Sequence, residues 1–149
     1  MISQKCQYAI RAVFELSRQY GQGPVKISHI AEQQDIPVKF LEVILNQLKT
    51  GDFVDSKRGS SGGYFLMQYP ENITVGQIIT FIQGTVKPVS CVESAGSGNQ
   101  CSLKNKCVFL PMWRKVHEAV TDVYDKTTFA DLVRQDAAEN QQDKICYSI

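Results

Sequence analysis

The chain of 149 residues has the length of one ordinary domain, or of a small domain with an oligomerisation arm. Its composition is 43% hydrophobic and 21% charged, which is typical of a globular protein and excludes a disordered chain. The formal net charge of +1 provides no general field that would attract nucleic acid. Any contact with DNA must therefore come from basic groups that are placed locally.

The apolar runs, the N-terminal segment and the cysteines together indicate the cellular compartment that we expect. No apolar run approaches the about 18 residues of a membrane span, so we expect no contact with a membrane. The start, MISQKCQYAIRAVFEL, lacks the basic segment and the continuous apolar core of a secretory signal. The odd number of cysteines, five, argues against a disulfide framework. We therefore expect a cytoplasmic protein with reduced thiols.

Three helices are predicted in the first fifty residues by the spacing of apolar side chains. The first covers residues 3–20 and has Cys6 in its first turn. The second begins at Ser28 as its N-cap and ends at residue 33, and the third begins at Pro37 and ends before Gly51, a C′ glycine. The second and third are short and joined by a tight turn, and the third has a polar outer face. Such a pair is typical of a helix-turn-helix, although many structural helix pairs share the pattern.

A β-hairpin is predicted directly after the third helix. Residues 53–57 and 64–67 have the composition of strands, and the sequence RGSSGG separates them. Helix-turn-helix followed by a hairpin with a basic, Gly/Ser-rich tip is the winged-helix arrangement, and a plain surface hairpin is the alternative. In a wing, an arginine commonly enters the minor groove while hydroxyls and backbone N–H groups hold phosphates.

The second half of the chain contains a cysteine loop. A capping box at Thr74 and Gln77 begins a helix that Gly84 ends. The stretch CVESAGSGNQCSLKNKC follows at residues 91–107, with gaps of nine and five residues between its cysteines. Three thiolates on a loop suit zinc or an iron–sulfur cluster.

Behind the loop, apolar residues recur in a heptad pattern that favours pairing with a second subunit, because one helix of so small a chain could not bury the stripe alone. Residues Thr128 to Asp131 form a second capping box, which predicts a short last helix. We expect residues 136–149 to be disordered and Cys146 to have no role. The stripe comprises Phe109, Trp113, Val116, Val120 and Val123.

Five motifs and the three cysteines together carry a resemblance to a known family. The motifs are QYAIRAVFELS, PVKFLEVILNQLK, RGSSGGYFL, ITVGQIITFI and MWRKVHEAV. With them, the chain resembles the IscR/NsrR-type bacterial transcription regulators of the Rrf family. The resemblance covers residues 1 to about 135 in the expected order. It implies a homodimer with two winged-helix heads on a palindromic operator in double-stranded DNA. It also implies long crossed helices and an iron–sulfur cluster, usually two-iron two-sulfur, held by Cys91, Cys101 and Cys107.

For DNA, the resemblance implies that Lys39 and Glu42 reach base edges and that Arg58 enters the minor groove. A glutamate can accept a hydrogen bond from a cytosine amino group but is repelled by phosphates, so it discriminates more than it binds. Lys39 stands where relatives often carry a small polar residue, which leaves the preferred DNA sequence open. The predicted DNA-contacting set is Ser28, Lys39, Phe40, Glu42, Lys49, Arg58, Ser60, Ser61 and Gly62.

For the cluster, this chain departs from the pattern of the resembled family. Its first gap between cysteines is longer than in several relatives. The family's iron–sulfur assembly repressor uses as its fourth ligand a histidine three residues after the last cysteine, where this chain has Leu110. Other relatives use a carboxylate near position 8, where this chain has Tyr8. Three alternatives remain open as the fourth ligand: Cys6, His117 and an acidic residue such as Glu15.

These observations predict a mainly α protein with a small β-hairpin wing. Its parts are a winged helix-turn-helix head at residues 1–84, a cysteine loop at 85–108, a dimerisation helix with a short last helix at 109–135, and the tail. The predicted function is a transcriptional regulator whose operator affinity depends on an iron–sulfur cluster that responds to redox state, iron, oxygen or nitric oxide. The alternative is a metal-free or zinc-bound regulator or adaptor controlled by a protein partner. No catalytic motif is present, so an enzyme is not expected.

Overall fold

The computed structural model describes residues 1–92 and 106–146, and side chains as far as residue 142. The described part is mainly helical, with one two-stranded antiparallel hairpin, and no helix in it is long and apolar enough to cross a lipid bilayer. The elements are α1 (Gln4–Arg18), α2 (Ile27–Gln34), α3 (Val38–Thr50), β1 (Val54–Lys57), β2 (Gly63–Leu66), a short 3-10 helix (Pro70–Asn72), α4 (Val75–Gln83), α5 (Leu110–Lys126) and α6 (Phe129–Cys146).

Helix α1 is the central element of the fold. Ser3 caps it, because the Ser3 hydroxyl accepts a hydrogen bond from the backbone N–H of Cys6. The apolar spacing that predicts this helix comprises Ala9, Val13, Leu16 and Tyr20. The first three are buried, whereas Tyr20 lies beyond the helix end and is exposed. Helices α2, α3, α4 and α6 all pack against α1. The hydrophobic core of the head therefore forms around this one helix.

One carboxylate lies inside that core. The Glu15 side chain is 1% exposed, on the face of α1 that meets α2. Gln34 donates a hydrogen bond to Glu15 Oε2 at 2.9 Å, and His29 Nε2 lies 3.3 Å from Glu15 Oε1. Arg18, the last residue of α1, and Gln19, which follows it, supply two further donors. A buried carboxylate needs such partners, and here they join α1 to both ends of α2.

The predicted helix-turn-helix is present, with corrected ends. A three-residue turn, Asp35 to Pro37, joins α2 to α3, and Asp35 adopts the left-handed conformation at φ 48°. Ser28 is not the N-cap of α2, because the helix begins one residue earlier, after Lys26. Pro37 is likewise the N-cap of α3 and not its first helical residue. Its fixed φ suits either position, so the sequence could not distinguish them.

Gly51 ends α3 for a reason that differs from the predicted one. Its φ of −96° is open to any residue, and Asp52 takes the left-handed conformation instead, at φ 57°. A Cβ atom on Gly51 would lie 2.5 Å from the Phe81 ring of α4. The Phe81 ring itself packs edge-on against Phe53, with centroids 5.2 Å apart. Close packing against the Phe81 ring, and not backbone conformation, therefore favours glycine at this position.

The predicted hairpin is present and is held to the rest of the head by a third short segment. Strands β1 and β2 pair from Val54 with Leu66 to Lys57 with Gly63. Val25 and Tyr64 exchange two backbone hydrogen bonds of 2.8 Å, which extends the sheet beyond β2. A Cβ atom on Gly63 would lie 2.4 Å from the Val25 carbonyl oxygen, so glycine permits this close approach.

The end of α5 is attached to the start of α4 by backbone hydrogen bonds. Val75 N–H donates to the Thr127 carbonyl at 2.9 Å, and Phe129 N–H donates to the Ile73 carbonyl at 3.0 Å. The Phe129 side chain is fully buried in the core. Both predicted capping boxes are present, at Thr74 and at Thr128. Helix α5 is therefore anchored to the head at its C-terminal end.

Helix α6 overturns two predictions about the end of the chain. It continues to Cys146, so the last helix is not short, and residues 136–146 do not form the disordered tail that we expected. Residues 147–149 lie outside the described residues. The segment AAENQQDK contains neither glycine nor proline and consists mostly of good helix formers, so the helix can continue after its packing against the head has ended.

Replacing Glu15 tests its structural role. We expect Glu15→Ala to lower the free energy of unfolding by about 2 kcal/mol, because it leaves the Gln34 amide without its buried acceptor. Urea unfolding at fixed protein concentration measures the change. Glu32→Ala, on the exposed side of α2, is the matched control and should change stability by less than about 0.5 kcal/mol. Equal losses in the two variants would contradict the assigned role.

Candidate functional site

The outer face of α3 contains polar side chains that have no partner among the described residues. Leu41, Ile44, Leu45 and Leu48 bury the opposite face of the helix in the core. Lys39, Glu42 and Asn46 are exposed, and within the described part of the chain they form no side-chain hydrogen bond or ion pair. Residues three and four apart are neighbours on a helix surface, so these three form one patch. This patch is free to contact another molecule.

Phe40 lies beside that patch and is 62% exposed. Its ring centroid is 6.4 Å from that of Tyr8 in α1, in a tilted arrangement. The contact orients the Phe40 ring without burying it. Phe40 therefore offers an apolar surface next to the polar face of α3.

Ser28 is exposed in the first turn of α2. The first bonded N–H groups of this helix are those of His29 and Ile30, which both donate to the Lys26 carbonyl. The N–H groups of Ile27 and Ser28 precede them, at the end of the helix that attracts anions. The Ser28 hydroxyl and these N–H groups together can hold a phosphate.

The wing tip presents an exposed arginine on a tight loop. Arg58, Ser60 and Ser61 are exposed, and the Gly62 N–H donates to the Gly59 carbonyl at 3.0 Å. Gly59 has φ 109°, a conformation that favours glycine. The loop therefore holds its charged and hydroxyl groups outward.

Gly62 itself is buried, unlike the rest of the predicted tip. A Cβ atom there would lie 2.1 Å from the Lys57 carbonyl oxygen. The structure thus gives Gly62 a role in closing the turn behind the exposed residues. A direct contact between Gly62 and DNA stays a prediction.

Lys49 points from α3 to the hairpin. Its Nζ lies 3.1 Å from Asp55 Oδ1 and donates a hydrogen bond to the Ser56 hydroxyl at 2.7 Å. Hydrogen bonds from the Ser56 N–H and from Lys49 hold the pKa of Asp55 below its ordinary value. Asp55 is therefore ionised at neutral pH and offsets the charge of Lys49. Of the predicted basic contacts, Lys49 is thus the least available to a phosphate.

Two of the three loop cysteines are described. Cys91 and Cys107 are free, partly exposed thiols, and Cys107 lies three residues before the start of α5. Cys101 lies outside the described residues, and among those that are described no group of three or more metal-ligating side chains is found. The chemistry of the donors suits an iron–sulfur cluster, since both described cysteines are free and partly exposed.

The three alternatives for a fourth ligand differ in their surroundings. Cys6 is fully buried in the core, and burial raises the pKa of its thiol, which disfavours the thiolate that a metal needs. Glu15 is occupied by four partners in the core. His117 is half-buried, and its Nδ1 lies 3.1 Å from the Val86 carbonyl oxygen. If Nδ1 carries the proton, Nε2 keeps a lone pair for a ligand.

The His117 contact also joins the two ends of the cysteine loop. Val86 lies five residues before Cys91, and His117 lies on α5, which follows Cys107. The chain entering the loop is thereby hydrogen-bonded to the helix that leaves it. The sequence offers His117 only as one of the alternatives for the fourth ligand, and no local pattern reveals its contact with Val86.

A scan against protein families matches residues 2–135 to a family described as Rrf2, iron-dependent transcriptional regulator. The chain belongs to the Rrf2 family. It resembles CymR of Bacillus subtilis, with 30% identity over 140 residues and 94% of each chain covered. It also resembles IscR of Yersinia pestis, with 31% identity over 139 residues, which cover 93% of this chain and 82% of that protein. Members of the family are transcriptional regulators and not enzymes.

Solved structures of Rrf2 regulators share the fold. CymR, the global cysteine regulator of B. subtilis, superposes with a TM-score of 0.74 at 30% identity and covers 91% of this chain and 97% of its own. IscR of T. potens gives a TM-score of 0.72 at 32% identity, with coverages of 95% and 90%. The predicted winged-helix fold and family are thus confirmed. The relatives include both IscR proteins and the cysteine regulator CymR.

Replacing Gly62 tests the geometry of the wing tip. We expect Gly62→Ala to displace the loop and to lower the free energy of unfolding by about 1–3 kcal/mol, because the new methyl group collides with the backbone of Lys57. The backbone amide of residue 62 should exchange its hydrogen faster in the variant than in the native protein. The neighbouring Ser61→Ala is the control and should leave exchange and stability unchanged. Normal protection in the Gly62 variant would show that the turn is closed differently.

Proposed function

We propose that this protein is a homodimeric, DNA-binding transcriptional regulator that acts in the cytoplasm on a palindromic operator, and that three cysteines hold an iron–sulfur cluster which sets its affinity. The observation that carries the DNA-binding part is the unpartnered polar face of α3, together with an exposed arginine at the wing tip. Family membership supports transcriptional regulation as the biological role.

In this proposal α3 lies in the major groove. Lys39 and Phe40 contact DNA there, and Glu42 accepts a hydrogen bond from a cytosine amino group. Ser28 and the start of α2 hold a backbone phosphate, and Arg58 enters the minor groove with Ser60 and Ser61 at the flanking phosphates. Lys49 contributes less, because Asp55 offsets its charge.

The second subunit is proposed to pair along α5. No residue of this helix is buried within one subunit. Met112, Val116 and Val123 are its exposed large apolar residues, and Phe109, directly before the helix, is exposed as well. A long helix with one apolar side is stable only if another surface covers that side. Two such helices packed together would set the distance between heads to match half-sites about 34 Å apart, or a multiple of that.

Cys91, Cys101 and Cys107 would hold the cluster, with His117 as the best placed of the three alternatives for the fourth ligand. Such a cluster would supply a centre whose charge and occupancy respond to redox state, iron, oxygen or nitric oxide. The described residues provide a route from the loop to the head. His117 joins the loop to α5, and the hydrogen bonds at Thr127 and Phe129 join α5 to α4.

The similarity to CymR favours a second candidate. CymR is the global cysteine regulator of B. subtilis, and this chain covers nearly all of it. A protein of that kind would use the same DNA-binding head without an iron–sulfur cluster, under the control of a partner protein or of zinc. Iron content and DNA affinity together distinguish the two candidates.

Replacing Arg58 tests the DNA-binding part. On a duplex selected by the protein from a random pool, we expect Arg58→Ala to weaken binding by about 1–3 kcal/mol and to reduce the dependence on salt. Fluorescence anisotropy at several salt concentrations measures both. Lys126→Ala is the control, because Lys126 is exposed on α5 and paired with Asp122. Equal losses in the two variants would point to a general charge effect and against a wing contact.

Replacing the loop cysteines tests the cluster. Protein purified without oxygen should be coloured and contain iron, and Cys91→Ala, Cys101→Ala or Cys107→Ala should remove both colour and iron. Cys6→Ala is the control and should retain both. Removing the iron from the native dimer should change operator affinity about 5- to 150-fold, the range typical of coupled sites. Colourless protein with stoichiometric zinc, or an unchanged affinity, would reject the cluster and leave the second candidate.

A further inference from the structure

One apolar residue lies within the polar patch of α3. Val43 is 58% exposed, whereas Ile44 and Leu45 beside it are buried. It lies four residues after Lys39 and three before Asn46, so the three side chains follow one row along the helix. An isolated valine on the surface would need no explanation, but this one lies at the centre of the proposed DNA-reading face.

The chemistry of the major groove gives such a residue a ligand. Thymine is the only base of unmodified DNA with a methyl group in the major groove, and apolar side chains contact it there. Lys39 and Asn46 can donate hydrogen bonds, and Glu42 can accept one, but none of these three recognises a methyl group. Valine has two methyl groups on a short, stiff side chain, which suits a fixed contact.

We infer that Val43 reads the methyl group of a thymine in each operator half-site and so is a specificity-determining residue; the inference rests on the proposed function. The thymine lies within about two base pairs of the base contacted by Lys39, because Cβ atoms four residues apart on a helix are about 5–6 Å apart and base pairs rise about 3.4 Å. Val43 would thus favour thymine at this position over a base that lacks the methyl group.

Replacing thymine by deoxyuridine tests this inference, because the exchange removes only the methyl group. Each thymine of the selected duplex is exchanged in turn, symmetrically in both half-sites, and binding is measured by anisotropy. For the native protein we expect one position at which deoxyuridine weakens binding about fourfold per half-site, the effect of one lost apolar methyl contact. Val43→Ala should bind the thymine duplex similarly weakly and should no longer distinguish thymine from deoxyuridine there.

One control variant separates a contact made by Val43 from a general loss of exposed apolar surface. Met67→Ala removes an exposed apolar side chain at the hairpin base, away from the wing tip, and should keep the preference for thymine. If Val43→Ala kept that preference, or if the native protein had none, the inference would be wrong while selective DNA binding stood. If no duplex were selected from the random pool, the proposed function would fail and this inference with it.

Discussion

The buried carboxylate of Glu15 is the interaction on which the DNA-binding head depends. It joins the central helix α1 to α2 through His29 near the start of α2 and Gln34 at its end, while α1 also packs against α3, α4 and α6. A purely apolar contact would let α2 slide or rotate on α1, whereas hydrogen bonds at both of its ends fix one position. The turn at Asp35 then fixes α3 relative to α2. The orientation of the recognition face is thus determined inside the core.

The long helix α5 is fixed to the head at one end and exposed along its length. Backbone hydrogen bonds at Thr127 and Phe129 hold its C-terminal end on α4, and His117 holds its middle against the segment before the cysteine loop. The start of α5 lies next to Cys107. A rearrangement of the loop would therefore act on the N-terminal half of the helix while the other end stays with the head. A shift at the start of α5 would therefore move the helix relative to the head that holds its other end.

The sequence predicted the elements more reliably than the contacts between them. In the described part of the chain, apolar spacing and capping boxes located every α-helix and the hairpin to within a few residues, except for the length of α6. There the polar composition suggested disorder although the helix propensity was sufficient. The exposed polar patch of α3, which we propose to read DNA, followed from the polar positions of that helix. Glu15 could not be predicted as a core residue, because its burial depends on His29 and Gln34 from another helix. The exposure of Val43 escaped prediction for the opposite reason, since an apolar residue in a helix is normally assigned to the core.

Charge on this head is arranged so that general attraction to DNA is weak. Asp55 offsets Lys49, Glu42 repels phosphates, and the whole chain has a net charge of +1. A single head would therefore bind duplex weakly, and most of its selectivity would come from short-range contacts of Lys39, Glu42 and Val43 with bases. Two rigidly joined heads gain affinity because binding of the first raises the effective concentration of the second. That gain requires the correct spacing of the heads. In the proposed dimer, a cysteine loop next to the pairing helix would thus control binding without touching DNA.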